Sequence, residues 1–258
     1  MLTYIKKFRD LVIDDVPLVG GKNASLGEMF SKLSVHGIAV PNGFSTTSTA
    51  FWIFLEENNL KQQLHELLQQ LDRQRYSNLK EIGSQARAMV MNAVIPSEMQ
   101  NEILEAYHEL CGKDFLPVAV RSSATAEDLP QASFAGQHES YLNISGDKEL
   151  LIAVQKCFAS LYTDRAIKYR EDNCFAHEKV ALAVGIQKMV RADLASSGVI
   201  FTLEPESGFR DIIHISGVWG LGENLVQGTI TPDEFLVFKP TLSRRKNPYC
   251  RRNLATRH

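Results

Sequence analysis

Two hydrophobic rhythms divide this chain, and the changeover near Gly112 limits the folds open to it. Between residues 45 and 111, apolar side chains recur at helical spacing. Leu64, Leu67, Leu68 and Leu71 form one stripe, and Ile103, Leu104, Tyr107 and Leu110 form another. After Gly112 the apolar residues fall into short runs bounded by polar turns, at 118–121, 141–144, 180–190, 198–202, 212–216 and 235–238. A helical first portion followed by mixed strands and helices predicts an α+β or α/β architecture.

In more detail, a short helix is expected from residue 23 or 25 to about 33, then a brief strand at 38–41 with Pro41 at its end. Helices are expected at 48–57, 60–74, 79–92 and 96–111. A further helix should begin at Asp147 and run to Leu161, with continuation through Tyr169 left open. The leucines of the helical part read as core rather than as a groove for a partner. No internal repeat or low-complexity linker marks a tether. The expected divisions are a largely helical segment, 1–112, a mixed segment, 113–242, and a basic tail, 243–258.

Composition is that of a soluble globular protein, 44% hydrophobic and 22% charged. The net charge of −2 is unevenly spread. Residues 243–258 carry six of the 28 lysines and arginines and no acid, which leaves 22 basic against 30 acidic residues, a body charge of −8. Nucleic-acid affinity rests on neutralising phosphates, so such a body is a poor general binder. No run approaches the roughly 18 apolar residues of a membrane span. The four cysteines are scattered without a C-x-x-C pair, which fits neither a zinc site nor a disulfide framework and suits a cytoplasmic setting.

Three segments carry chemical potential. In the first, the apolar run Leu116-Pro117-Val118-Ala119-Val120 stops at Arg121 and is followed by Ser122, Ser123 and Thr125, then by Ser133-Phe134-Ala135-Gly136-Gln137. An arginine and hydroxyl donors at a strand end suit a polyphosphate, since guanidinium forks onto phosphate oxygens. A strand end, polar turn and helix cap would read the same way. In the second, Gly20-Gly21-Lys22 precedes an amphipathic helix start; paired glycines let backbone approach a ligand and lysine adds a mobile charge. The spacing is not that of a P-loop, and an ordinary turn remains open. In the third, Gly220-Leu221-Gly222-Glu223 leads through Gln227 to Asp233 and Glu234 at a strand start. Carboxylate and amide oxygens so arranged suit Mg²⁺, which shares hard oxygen ligands with phosphates; a solvated acidic hairpin is the alternative.

The three segments occur in the same order as in the nucleotide-binding region of the phosphoenolpyruvate synthase and pyruvate phosphate dikinase family. The resemblance rests on Gly20-Gly21-Lys22-Asn23-Ala24-Ser25-Leu26-Gly27-Glu28-Met29, Val40-Pro41-Asn42-Gly43-Phe44, Arg121-Ser122-Ser123-Ala124-Thr125-Ala126-Glu127-Asp128-Leu129-Pro130, residues 133–137 and 197–202, and Gly220-Leu221-Gly222-Glu223 with Pro232-Asp233. It covers residues from about 5 to about 242 and looks closest to the synthase branch.

The resemblance implies an ATP-grasp-like fold, in which two lobes close on a nucleotide, and a Mg·ATP ligand. Phosphoryl transfer asks a protein mainly for positioning and charge neutralisation. Lys22 and Arg121 are assigned to the phosphates and to catalysis, with Ser122, Ser123, Thr125, Gly136 and Gln137 adding contacts. Adenine is expected near Gln187, Met189 and Val190. Glu223 is the first choice of metal ligand, ahead of Gln227, Asp233 and Glu234. Among the histidines, His214 reads as a hydrogen-bonded core residue and His138 as a candidate ligand contact.

In the resembled enzymes a histidine on a separate domain takes the phosphoryl group from ATP and carries it to pyruvate on a third domain. No segment of Gly-Gly-x-x-x-His-Ala character occurs here. The expectation is therefore the ATP-binding portion of a synthase, incomplete for turnover, whose phosphohistidine and pyruvate-binding domains lie elsewhere. Other dikinases acting on a glucan or an antibiotic, and a non-catalytic nucleotide-binding module, remain open, as does a homodimer for the full-length enzyme. Nucleic acid and membrane are not expected partners.

Overall fold

Short apolar runs without a long hydrophobic span predict strands and helices that must cover one another, and that is the arrangement found. In the computed structural model, residues 3–112, 116–125 and 139–244 are described. The chain divides into two compact units, Met1–Met189 and Val190–His258. The rhythm change at Gly112 falls inside the first unit, because strands from both sides of it share one sheet. Among the described residues every strand pairing is antiparallel, so the α+β expectation holds.

In the first unit five strands, β1 (Ile5–Lys7), β2 (Gly43–Thr46), β3 (Val118–Ala124), β4 (Ser140–Ile144) and β5 (Leu182–Lys188), form a sheet in the order β1-β2-β5-β3-β4. Alternation along the strands gives the sheet two different faces. Phe44, Val118, Val120, Ala124, Leu182, Val184 and Ile186 join the main core with helices α2 (Ser48–Glu57), α3 (Leu60–Gln69), α4 (Leu79–Asn92), α5 (Ser97–Cys111), α6 (Asp147–Ser160) and α7 (Asp164–Asp172). The expected leucine stripe is buried there: Leu64, Leu67, Leu68 and Leu71 all belong to that core. Helix α1 (Val16–Ser34) lies on the other face, where Val19 and Ala24 pack with Phe8, Leu11 and Ala183.

Several expected boundaries move, for local reasons. The strand expected at 38–41 forms instead at Gly43–Thr46, where all four residues are buried between β1 and β5, whereas Ile38 is exposed. Strand β1 itself carried too few residues to be read. Helix α1 begins earlier than 23, with Pro17 in its first turn. Helix α3 stops at Gln69 instead of 74, because Asp72 accepts hydrogen bonds from the Gln74 and Arg75 amides (3.1 Å each) and from Ser77 Oγ (2.6 Å), and Tyr76 adopts φ +53°. The helix from Asp147 does not continue through Tyr169. It ends at Ser160, and Thr163 Oγ1 caps α7 by accepting from the Ala166 amide at 3.3 Å.

The second unit holds a three-stranded sheet, β6 (Ser196–Phe201), β7 (Ile212–Trp219) and β8 (Asp233–Phe238), with the short helix α8 (Glu223–Val226) between β7 and β8. Among the described residues no helix is long and apolar enough to cross a membrane.

Candidate functional site

The Gly-Gly-Lys segment and the Arg-Ser-Ser segment, a hundred residues apart in the chain, meet on the α1 face of the first sheet. The meeting is made by glycine. Gly20 has φ +76° and ψ 158° inside α1, torsions that break the helix and let it restart at Gly21. A Cβ at Gly20 would stand 2.2 Å from Ser123 Oγ and 2.9 Å from the Ser123 carbonyl oxygen, so the break sits directly on β3. One turn later Asn23 lies over β5: a Cβ at Gly185 would come within 2.2 Å of Asn23 Oδ1. Gly185 is the cross-strand partner of Arg121.

Strand β3 runs to Ala124, so Arg121 is not at a strand end; it is within the strand, with an exposed side chain. The reason is pairing, since β5 continues opposite β3 as far as Leu182. Arg121 shares a face with Ser123, two residues on, and that is the face Gly20 and Asn23 touch. Lys22, between Gly20 and Asn23, is exposed. The segment that carries Lys22 and the strand that carries Arg121 thus meet on one sheet face.

The hydroxyls divide. Ser123 is 1% exposed and its Oγ has no hydrogen-bond partner among the described residues. A buried orphan hydroxyl is uncommon, because it gives up water without replacement. Ser122 points to the opposite face, where its Oγ accepts from the Glu139 amide at 3.1 Å. Thr125 ties the end of β3 to Ala181: its Oγ1 accepts from the Ala181 amide and donates to the Ala181 carbonyl, 3.3 Å each. Of the three hydroxyls assigned from sequence, the structure places Ser123 with Arg121 and turns Ser122 and Thr125 to backbone work. Gly136, Gln137 and His138 lie outside the described residues.

The segment expected to meet adenine is partly self-satisfied. Gln187 is buried on the Arg121 face, and its Nε2 donates to the Pro41 carbonyl at 3.0 Å. The Lys188 amide donates to Asn42 O and the Met189 amide to Pro117 O, 3.0 Å each, so neither is open to a base edge. Val190 is exposed and begins the second unit.

In that second unit Glu223 opens α8, and its Oε1 accepts from Gln227 Nε2 at 3.1 Å. Asp233 opens β8 opposite Gly217. Glu234 lies beside His214, whose Nε2 is 3.6 Å from Glu234 Oε1. His214 was expected to be a hydrogen-bonded core histidine; it is partly buried in β7, but neither ring nitrogen has a hydrogen-bond partner among the described residues. No group of three or more His, Cys, Asp or Glu side chains gathers for a metal ion among the described residues.

Sequence reasoning gave no role to two residues that the fold makes prominent. Asn23 was visible only as part of a motif, and its importance depends on tertiary contacts. Arg170 is 1% exposed and donates from Nε to His177 Nδ1 at 2.7 Å. Burial pushes the Arg170 guanidinium down to about 10. A tyrosine-arginine pair in a helix gives no signal for either feature.

A glycine-broken helix thus rests on the sheet face that carries Arg121 and the orphan Ser123 hydroxyl. The chain belongs to the pyruvate phosphate dikinase, AMP/ATP-binding domain family, whose model matches residues 16–257. It is 51% identical over 259 residues to the phosphoenolpyruvate synthase of Helicobacter pylori, covering 99% of this chain and 32% of the relative. It is 49% identical to the enzyme of that name from Pseudomonas aeruginosa over 258 residues, covering 100% of this chain and 33% of the relative. With the Escherichia coli phosphoenolpyruvate synthase, identity is 48% over 251 residues, 97% of this chain and 32% of the relative. The chain spans about a third of the length of the curated relatives it matches.

Proposed function

We propose that this chain binds Mg·ATP as the nucleotide-binding portion of a phosphoenolpyruvate synthase, in which ATP, pyruvate and water give phosphoenolpyruvate, AMP and phosphate. The observation that carries the reading is the contact of Gly20 with Ser123 and of Asn23 with Gly185, which brings the Lys22 segment onto the Arg121 face.

In this reading Arg121 forks onto phosphate oxygens and Lys22 adds a point charge. The helix restart after Gly20 contributes amides, as helix ends do for phosphates. Gln187 Oε1, an acceptor, suits the exocyclic amino group of adenine, while its Nε2 stays on Pro41. The fold is read as ATP-grasp-like. Mg²⁺ neutralises phosphate charge and usually holds only one or two protein carboxylates, the phosphates and water completing its shell. A dedicated cage of acids is therefore unnecessary, and Glu223, backed by Gln227, is a fitting single carboxylate, with Asp233 a weaker one.

The histidine that accepts the phosphoryl group and the pyruvate site would come from regions outside this sequence. The names of the relatives favour the synthase over a glucan or antibiotic dikinase. A cytoplasmic setting agrees with Cys111, Cys157 and Cys174 being free thiols. Titration calorimetry with Mg·ATP tests the proposal: binding in the millimolar range or tighter is expected, and heat indistinguishable from dilution would refute it.

A further inference from the structure

Lys22 is on an exposed position, yet the residue after it is among the most enclosed polar side chains in the first unit. Asn23 is 2% exposed. Its Nδ2 donates two hydrogen bonds of 2.9 Å, to the Val19 carbonyl one turn back and to Ser45 Oγ on β2. Ser45 Oγ passes the chain on by donating to the Thr46 carbonyl at 2.7 Å. On the third side, Asn23 Oδ1 fills the space above Gly185 that any side chain would occupy. One amide thus touches helix α1 across its break, strand β2 and strand β5.

A leucine or alanine would serve if the position were only core, since buried polar groups cost free energy unless bonded. The asparagine ties the backbone on both sides of Gly20, through its bond to the Val19 carbonyl and its anchor on Ser45. Without it, the restart could rotate about Gly20 and Gly21, the two most permissive residues in the segment. Gly185 is the other half of the device, because it alone leaves room for Asn23 at the cross-strand position of Arg121.

We infer that Asn23 and Gly185 form a clamp that fixes the Gly20-Gly21-Lys22 turn against β5, making Asn23 a positioning residue that sets where the Lys22 ammonium stands relative to Arg121. The link to ATP rests on the nucleotide reading above; the clamp itself does not.

The test separates the two. Amide hydrogen exchange of the chain is measured for wild type, Asn23→Ala and Gly185→Ala, the latter displacing Asn23 without altering it. Faster exchange confined to the peptide around residues 19–27, in both variants, supports the clamp; unchanged exchange there, or loss of protection throughout the first unit, overturns it. Calorimetry with Mg·ATP then compares Asn23→Ala, Lys22→Ala and the double variant. About tenfold weaker binding by Asn23→Ala, with little further loss when Lys22→Ala is added beyond that of Lys22→Ala alone, supports action through Lys22. Additive losses overturn it. Absence of ATP binding by wild type overturns the nucleotide reading, while the exchange result still decides the clamp.

Discussion

Gly20 and Ser123 touch so closely that the space for one methyl group between them is already filled: a Cβ on Gly20 would lie 2.2 Å from Ser123 Oγ. The contact joins a helix near the start of the chain to a strand in its middle, and the site described above depends on it.

Gly20→Ala should therefore destabilise the first unit. The substitution adds a side chain at φ +76° and drives it toward the Ser123 carbonyl oxygen, 2.9 Å away, as well as toward the hydroxyl. A loss of about 1–3 kcal/mol is expected from the backbone strain together with overpacking. Urea denaturation followed by circular dichroism measures it; an unshifted midpoint would show that the close contact is absent in solution.

Arg121→Ala should weaken Mg·ATP binding by about 1.5–3 kcal/mol, the range for losing a hydrogen bond to a charged group. The side chain is exposed, so the fold should persist. Arg121→Lys should recover only part of the affinity, because an ammonium keeps the charge and loses the fork. Affinity equal to wild type in the alanine variant would remove Arg121 from the site.

His177 should make the first unit acid-sensitive above the carboxylate range. Its Nδ1 accepts from Arg170 Nε at 2.7 Å, so that nitrogen is unprotonated, and Nε2 sits 2.8 Å from Glu171 Oε1. Burial, then the neighbouring Arg170 cation, hold His177 below its ordinary 6.5, against the opposing pull of Glu171. The unfolded chain takes up the proton first, so this contribution is complete above 6.5 and is lost as pH falls through the lower folded value. Thermal unfolding should show Tm falling as the pH drops below 6.5, with a shallower fall in His177→Gln, whose side chain does not titrate. Equal slopes in the two proteins would contradict the assignment.

Phe158→Ala should be among the costliest core changes. The ring is fully buried, edge-on to Phe51 at 5.3 Å and tilted against Phe54 at 5.2 Å. Truncation leaves a cavity between α2 and α6, and about 3–5 kcal/mol is the usual loss. Chemical denaturation measures it, and a loss below about 1 kcal/mol would mean that the three rings do not share a core.

Much of this could be read along the chain. The helices at Ser48–Glu57, Leu79–Asn92 and Ser97–Cys111 fall where the leucine and isoleucine spacing puts them, because a helix that buries one face repeats that face every three or four residues. The apolar runs of β3 and β5 likewise announce buried strands. Boundaries set by single side chains were harder. The stop of α3 depends on Asp72 turning back on three neighbours, and the break before α7 depends on the Thr163 cap.

The candidate site residues could be picked out along the chain, but their grouping could not. Spacing cannot say which face of a strand a residue takes, and so Ser122, Ser123 and Thr125 looked equivalent until β3 paired with β5 and β4. Alternation then sent Ser123 toward Gly20 and Ser122 toward Glu139. The sequence by itself determined that this chain would mix helices with short strands, and that it carries a lysine, an arginine and glycines of the kind that suit phosphate, because periodicity and residue chemistry are local properties. Only the tertiary structure decided that Gly20 meets Ser123 and that Asn23 stands over Gly185 beside Arg121, because contacts between segments a hundred or more residues apart follow from strand register and packing, which no local pattern encodes.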